Sequence, residues 1–211
     1  NYNVAIGNLS MDGPLNGASN NTTIGYQCLT DLTQGDQNTA LGYRSLHQVT
    51  TGGNNIGIGA NVGFAMTTTA NTVLIGTSAG GAINSADADG TVAIGYQALQ
   101  DLTSGQYNNA LGYRALADLT TGDYNVAIGH LTMEVHTTGV RNTAIGYAAM
   151  SNTDAGSTSS DSDDNIFIGY GAGSGAWTNA KSENNVAVGG FSMDSPLEGA
   201  LYNTALGNYT L

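Results

Sequence analysis

The sequence predicts an all-β fold, an elongated parallel β-solenoid, triple β-helix or β-prism rod, rather than a globule with one enzymatic cleft. A pentapeptide close to Asn-x-Ala-Ile-Gly recurs twelve times, usually 17 residues apart, within stretches rich in β-branched residues. A period this short indicates stacked copies of one unit, each in contact only with its neighbours. The closing glycines are Gly7, Gly25, Gly42, Gly59, Gly76, Gly95, Gly112, Gly129, Gly146, Gly169, Gly189 and Gly207.

The repeat predicts one elongated domain over residues 1–211, with about twelve coils that span on the order of 55 Å at the usual spacing of strands. The interval between motif glycines lengthens at two places, which predicts loop insertions near residues 77–90 and 147–164. The chain lacks an initiator Met and starts and stops inside the repeat. We therefore expect a segment of a longer protein or a processed subunit.

Each position of the motif has a structural rationale. The residue before the glycine is always aliphatic, the one before that is usually Ala, and Asn stands four before the glycine in ten of the twelve copies. A short Val-, Ile- and Thr-rich run between Asn and Gly predicts a β-strand with an Asn corner at one end and a Gly corner at the other. Stacked coils would also place the asparagine amides in a ladder. We assign structural roles in the repeat to Asn38, Asn108, Asn125, Asn142, Ile94, Ile128, Ile145, Gly95, Gly112, Gly129 and Gly146.

The second half of the coil comes in two styles. In one, the glycine is followed by a sequence such as Tyr-Gln-Ala-Leu at 96–99; in the other, Gly63, Gly80 and Gly173 replace that Leu. A single helical turn per coil stays open as an alternative.

The apolar pattern favours more than one chain. Neighbouring side chains of a strand point to opposite faces. The Ala and Ile of the motif should therefore lie on opposite faces, and so should Ala98 and Leu99 of the next segment. A strand with two apolar faces needs a second layer. For a thin rod that layer is another copy, so we expect self-association as an intertwined or side-by-side homotrimer. A monomeric solenoid is the alternative, and which of Ala and Ile faces inward is open.

Two runs carry a resemblance to known families. Residues 142–150 (Asn-Thr-Ala-Ile-Gly-Tyr-Ala-Ala-Met) and 91–99 (Thr-Val-Ala-Ile-Gly-Tyr-Gln-Ala-Leu) resemble the repeats of bacteriophage tail fibre proteins. They are also similar to the Val-Ala-Ile-Gly core of head domains in trimeric autotransporter adhesins, whose repeat is typically shorter. Both families imply homotrimeric, elongated, β-rich surface fibres.

The period favours the phage-like interpretation: the structural and receptor-binding segment of a viral tail fibre, located on the virion surface and mediating host-cell attachment. The expected partner is then a host cell-surface glycan or protein. The alternative is a bacterial surface adhesin head or a self-assembling extracellular filament subunit, located at the bacterial surface or outside the cell.

Composition excludes several other functions. The net charge is −12 with only four Lys and Arg residues, which argues against nucleic-acid binding. No apolar run approaches the roughly 20 residues of a membrane helix, so no membrane insertion is expected. The lone Cys28 is interpreted as a small buried residue. His47, His130 and His136 share neither a metal-binding spacing nor a column and are assigned no role. No constellation supports catalysis, so an enzyme is not expected.

Six tyrosines and two acidic stretches are the candidate contact sites. The tyrosines follow motif glycines, where they either form a platform for sugar rings or a structural aromatic ladder. The acidic stretches fall in the insertions and are interpreted as surface loops for receptor contact or, more weakly, as calcium ligands. Trp177 is expected to fill a gap. The receptor candidates are Tyr26, Tyr43, Tyr96, Tyr113, Tyr147, Tyr170, Asp161 and Asp163, and the calcium candidates are Asp87, Asp89, Asp163 and Asp164.

Overall fold

A computed structural model describes residues 2–153, 162–177, 180–197 and 199–211, and it confirms the predicted parallel β-solenoid with coils of about 17 residues. Each coil contributes one strand of three residues, and the strands pair in chain order into a single twelve-stranded parallel sheet. The strands are β1 (Val4–Ile6), β2 (Thr22–Ile24), β3 (Thr39–Leu41), β4 (Ile56–Ile58), β5 (Val73–Ile75), β6 (Val92–Ile94), β7 (Asn109–Leu111), β8 (Val126–Ile128), β9 (Thr143–Ile145), β10 (Ile166–Ile168), β11 (Val186–Val188) and β12 (Thr204–Leu206).

The register stacks equivalent motif residues on one another. In the β8–β9 pair, for example, Ala127 lies opposite Ala144 and Ile128 lies opposite Ile145. The hydrogen bonds between paired strands join consecutive coils of the same chain, so a single chain forms every coil of the solenoid. The 3-10 helix Ala86–Ala88, in the first predicted insertion, is the one helix within the described residues. No helix there is long and apolar enough to cross a membrane.

The strands decide which apolar residue faces inward. Ala127 and Ala144 are fully buried inside the coil, whereas Ile128 is 39% exposed and Ile24 is 41% exposed. The interior is narrow at the strand, so it accepts a methyl group there and directs the larger aliphatic side chain outward. Alanine therefore packs the core, and isoleucine or leucine covers the outer face of the sheet.

The segment after the strand departs from the prediction. Ala98 and Leu99 do not point to opposite faces; both are fully buried. The segment is a turn rather than a strand or a helical turn, with φ of 55° at Gln97 and 50° at Leu99. Positive φ is uncommon for non-glycine residues. Here it directs the Gln97 N–H to Thr77 O (2.9 Å) in the preceding coil and the Leu99 N–H to Ala115 O (3.0 Å) in the following one.

The same turn explains the glycines that replace leucine. Gly63 and Gly80 have φ of 52° and 58°, and a Cβ at either would contact the side chain of Leu74 within about 3 Å. Leu74 stands where most coils have Ala, so the large and small residues have exchanged places. Gly173 likewise leaves room for Phe167, against which the fully buried Trp177 packs at a ring distance of 5.5 Å. The prediction that Trp177 fills a gap is confirmed.

The predicted asparagine ladder is present in the core. Asn142 donates its backbone N–H to Asn125 Oδ1 at 2.9 Å, and its Nδ2 reaches Ser162 O at 2.8 Å. Thr72 and Thr91 interrupt the ladder: the Thr72 hydroxyl still donates to Asn55 Oδ1, but the buried Thr91 hydroxyl has no hydrogen-bond partner. Asn142 thus joins its own coil to the coils before and after it and closes the corner before the strand.

Cys28 is a free, fully buried thiol, as predicted. Its Sγ donates to the carbonyl of Gly42 at 2.8 Å, in the following coil. Thr132 occupies the same position in its coil and donates in the same way, to the motif glycine Gly146, whereas Ser45, also at this position, donates to the carbonyl of Gly57 in the next coil. Burial raises the pKa of the Cys28 thiol. The residue therefore acts as a small core group with one hydrogen bond between coils.

Candidate functional site

The six predicted tyrosines lie in one column on the outside of the solenoid, exposed by 42% at Tyr26 to 55% at Tyr170. Successive rings stack: Tyr26 on Tyr43 at 5.6 Å, Tyr96 on Tyr113 at 5.2 Å, and Tyr147 on Tyr170 at 4.9 Å between ring centroids. The planes of these pairs differ by 9–15°. The column is a ladder of aromatic rings along the rod.

Stacking decides which part of each ring is free. Because adjacent ring faces cover one another, the faces inside the ladder are closed to a sugar, and the ring edges and hydroxyls are what solvent reaches. This geometry favours the structural interpretation, in which the rings hold neighbouring coils in register. A receptor contact by these residues stays a prediction, and it would use ring edges.

The three histidines lie in three different columns, as predicted, and each makes a structural contact. His130 completes the aromatic ladder between Tyr113 (4.8 Å) and Tyr147 (5.3 Å). His136 is fully buried, with its Nδ1 2.9 Å from Thr153 Oγ1. His47 stacks on Phe64 at 5.3 Å. The signal for His130 was available, because it directly follows a motif glycine as the tyrosines do.

The outer face of the sheet, which we call the strand face, is uncharged and largely apolar: the third residue of every strand is aliphatic, whereas Thr or Asn is the first residue of five strands. It consists of the first and third residues of each strand, and none of the twelve strands contains a charged residue. Its length of about 55 Å and width of about 10 Å give more than about 500 Å², at the upper end for patches on monomers. The large apolar residues of this face that are 37–68% exposed are Val4, Ile6, Ile24, Leu41, Ile56, Leu111, Ile128, Ile166, Val188 and Leu206.

The acidic candidates are held by protein donors. Asp89 Oδ1 accepts the Ala70 N–H at 2.7 Å, and Asp163 Oδ1 accepts the Val140 N–H at 2.7 Å. Asp36 and Asp123, at the same position in other coils, make the same bond to the coil before. The sequence analysis missed this column of aspartates, although each stands six residues before a motif glycine.

The other calcium candidates are also paired. Asp87 interacts with the Ser85 hydroxyl at 3.2 Å, at the start of the 3-10 helix. Asp164 receives Nε and Nη2 of Arg141 at 2.6 and 2.8 Å, and this hydrogen bonding lowers the Asp164 pKa. Over the described ranges no three His, Cys, Asp or Glu side chains converge as a metal site. Asp161 lies outside the described residues.

Lys181 bridges two acidic residues of the same region. Its Nζ lies 2.6 Å from Glu183 Oε1 and 3.0 Å from Asp163 Oδ2. Hydrogen bonding to Glu183 and then to Asp163 raises the pKa of Lys181 to about 12. The pair network fixes the chain beside the second insertion, next to the candidate Asp163.

A surface pocket of about 370 Å³ opens on the turn segments of four consecutive coils, from Arg44 to Asp101. It lies beside a gap in the aromatic ladder, where Ala60 and Thr77 stand between Tyr43 and Tyr96. Sequence reasoning missed this pocket because it results from the absence of side chains. The available signal was the interruption of the tyrosine column over two coils.

Comparison of the chain with protein families, with curated proteins and with solved structures finds no match.

Proposed function

We propose that this chain is a structural and receptor-binding segment of a viral tail fibre and that it works as a parallel homotrimer. The observation that carries the proposal is the strand face, because a rod with an uncharged column of exposed aliphatic residues along its length needs a cover. The resemblance of the repeats to those of phage tail fibres supplies the biological setting.

A second copy of the same chain is the occupant that fits this surface. The column repeats at the spacing of the coils, so an aligned copy meets it with equivalent aliphatic residues at every level. A closed rotation about an axis parallel to the rod covers the column on every chain, and three copies satisfy it. The chain's charge of −12 stays away from this contact, since the strands carry none of it.

The role is mechanical and adhesive rather than catalytic. Stacked coils joined by the asparagine ladder and the aromatic ladder give a stiff rod, and a trimer presents every surface contact three times, which raises avidity. The insertions depart from the regular coil, so they are natural places for host contact. We include the region near 147–164 on the basis of its sequence, since residues 154–161 lie outside the described ranges.

Binding of the purified, fluorescently labelled chain to a panel of bacterial strains tests this function. Saturable binding to particular strains is expected. Deleting residues 154–159, which shortens the 23-residue interval between Gly146 and Gly169 to 17, should reduce it while leaving the mass of the assembly unchanged. Deletion of residues 86–87, which restores the 19-residue interval between Gly76 and Gly95 to 17, tests the other insertion in the same way. Absence of saturable binding to every strain would contradict the attachment role.

A further inference from the structure

Two repeated columns are interrupted, and a helix is inserted, within three consecutive coils of the rod. The aromatic ladder lacks rings at Ala60 and Thr77, the asparagine ladder is broken at Thr72 and Thr91, and the 3-10 helix is inserted between the same coils. The pocket beside Arg44, which we call the Arg44 pocket, opens in this stretch. The coincidence singles out one stretch of an otherwise regular surface.

The pocket exists because a second aromatic stack ends early. His47 stacks on Phe64, and the next coil has Gly81 in the same column, followed by Gln100. Gly81 carries no side chain and lines the pocket, so the space that a ring would occupy in this column belongs to the pocket. Two coil spacings, about 10 Å, separate the levels of Phe64 and Gln100. One ring that stacks at about 3.5–4 Å fits between them.

Arg44 places an unusual charge at this pocket. The other three cations of the chain, Arg114, Arg141 and Lys181, form ion pairs with carboxylates, but Arg44 has none among the described residues. Its guanidinium lies 4.9 Å from the centre of the Phe64 ring, and its buried Nε has no hydrogen-bond partner. Because Nε is buried, a ligand would meet the two terminal nitrogens of the guanidinium, and these can bind a planar carboxylate through two parallel hydrogen bonds.

The remaining polar lining suits hydroxyl groups. Asn61, Ser78 and Gln100 offer amide and hydroxyl groups, and Asp101 adds a carboxylate that accepts hydrogen bonds. A multiply charged anion is disfavoured by Asp101, whereas a ring with one carboxylate and several hydroxyls matches both the cation and the acceptors. A volume of about 370 Å³ falls in the usual range for small-ligand sites.

We propose that the Arg44 pocket binds a carboxylated sugar residue of the uronic acid type. The sugar ring occupies the vacancy next to Phe64, its carboxylate pairs with Arg44, and its hydroxyls bond to the polar residues of the lining. The pocket lies on the turn segments rather than on the strand face, so it stays open when the strand faces are covered. The biological meaning rests on the proposed function, because the sugar would belong to a host surface glycan.

Titration of the whole chain with methyl β-glucuronide, followed by nuclear magnetic resonance, tests the proposal against the neutral methyl β-glucoside. We expect the glucuronide to bind about ten-fold or more tightly than the glucoside, since one ion pair distinguishes them. Equal affinities of the chain for the two sugars, or no binding of the glucuronide at millimolar concentration, would overturn the proposal.

Two variants locate the site. Arg44→Gln should abolish the preference for the glucuronide, and Gly81→Gln should block both sugars by filling the vacancy. Arg114→Gln is the matched control, because it changes an arginine at the same position of another coil and should leave binding unchanged. An Arg44→Gln chain that keeps the preference, or an Arg114→Gln chain that loses it, places the sugar elsewhere and contradicts the assignment.

The outcome is separable from that of the attachment role. If the chain binds cells and Arg44→Gln leaves cell binding and glucuronide preference intact, the pocket proposal fails and attachment stands. If the glucuronide binds at Arg44 but no cell is bound, the pocket proposal stands and attachment fails.

Discussion

The side-chain oxygen of Asn108 receives two hydrogen bonds from Asn125 in the next coil, one from the backbone N–H at 2.9 Å and one from Nδ2 at 3.1 Å. Asn125 Nδ2 also donates to Gly139 O at 2.8 Å. A single buried amide thus links three levels of the rod, and only Asn has the length and the two-sided hydrogen bonding for this. The ladder is therefore the polar counterpart of the apolar core.

Replacement of Asn125 by Ala should lower the free energy of unfolding by about 3 kcal/mol or more, because it leaves the buried Gly139 O and Asn142 N–H without partners. Denaturant titration at one chain concentration measures this. Asn84→Ala, at an exposed asparagine, is the control and should change stability by less than about 0.5 kcal/mol. Equal effects of the two substitutions would show that the ladder contributes little.

The motif glycine should be irreplaceable. Gly146 has a φ of 134°, and a Cβ there would overlap the carbonyl oxygen of Gly169 in the next coil. Gly146→Ala should destabilise the protein by about 3 kcal/mol or more, since both the backbone strain and the close approach of coils must be relieved. Gly190→Ala is the matched case, because its Cβ would lie at an ordinary 3.4 Å from Asn208 Oδ1. In thermal unfolding, Gly190→Ala should have nearly the same melting temperature as the parent protein. If Gly146→Ala also lowered the melting temperature only slightly, the coils would not be as tightly stacked as the structure indicates.

The aromatic ladder makes its own prediction at His130. His130→Ser removes two stacked contacts, with Tyr113 and Tyr147, and should cost about 1–2 kcal/mol. His130→Tyr restores a ring of the column and should be neutral or stabilising. Chemical denaturation of both variants and the parent protein measures these changes in the free energy of unfolding. If Ser and Tyr were tolerated alike, the rings would be surface neighbours without an energetic role.

The ion pairs of Lys181 should make the stability of the protein depend on pH in the alkaline range. Its folded-state pKa of about 12 exceeds its ordinary value of 10.5, so its ion pairs stabilise the fold fully below pH 10.5 and progressively less as pH rises through 12. The side chain is 42% exposed, so the contribution at neutral pH is below about 1 kcal/mol.

The difference in stability between the parent and Lys181→Gln should therefore be constant from neutral pH to about 10 and shrink above it. Measuring the difference cancels the ionisation of the tyrosines, which both proteins share. A difference that persists above the folded-state pKa would exclude the ion pairs as its source.

The strand, the asparagine ladder and the outward tyrosines were predictable because each rests on a side chain that repeats with the coil. The inward direction of Leu99 was not, because the sequence gives no sign that a leucine adopts positive φ. Inter-coil hydrogen bonds impose that conformation, and they exist only once the coils are stacked. The place of His130 in the aromatic ladder was missed for another reason. The sequence analysis looked for tyrosine at this position, whereas the property that the stacked residues share is a flat ring. The Arg44 pocket was not predictable because it depends on the missing side chain at Gly81. That gap is recognisable only once the structure places Gly81 next to Phe64.

The mass of the chain in solution tests the covered strand face most directly. Sedimentation equilibrium over a wide range of concentration should give three times the chain mass of 21.4 kDa. Ile128→Lys, on the strand face, should shift the protein towards the monomer because it buries a charge at the contact, while Thr121→Lys, at an exposed site off that face, should leave the trimer intact. A monomer at every concentration, or a trimer that Ile128→Lys does not weaken, would contradict the proposal.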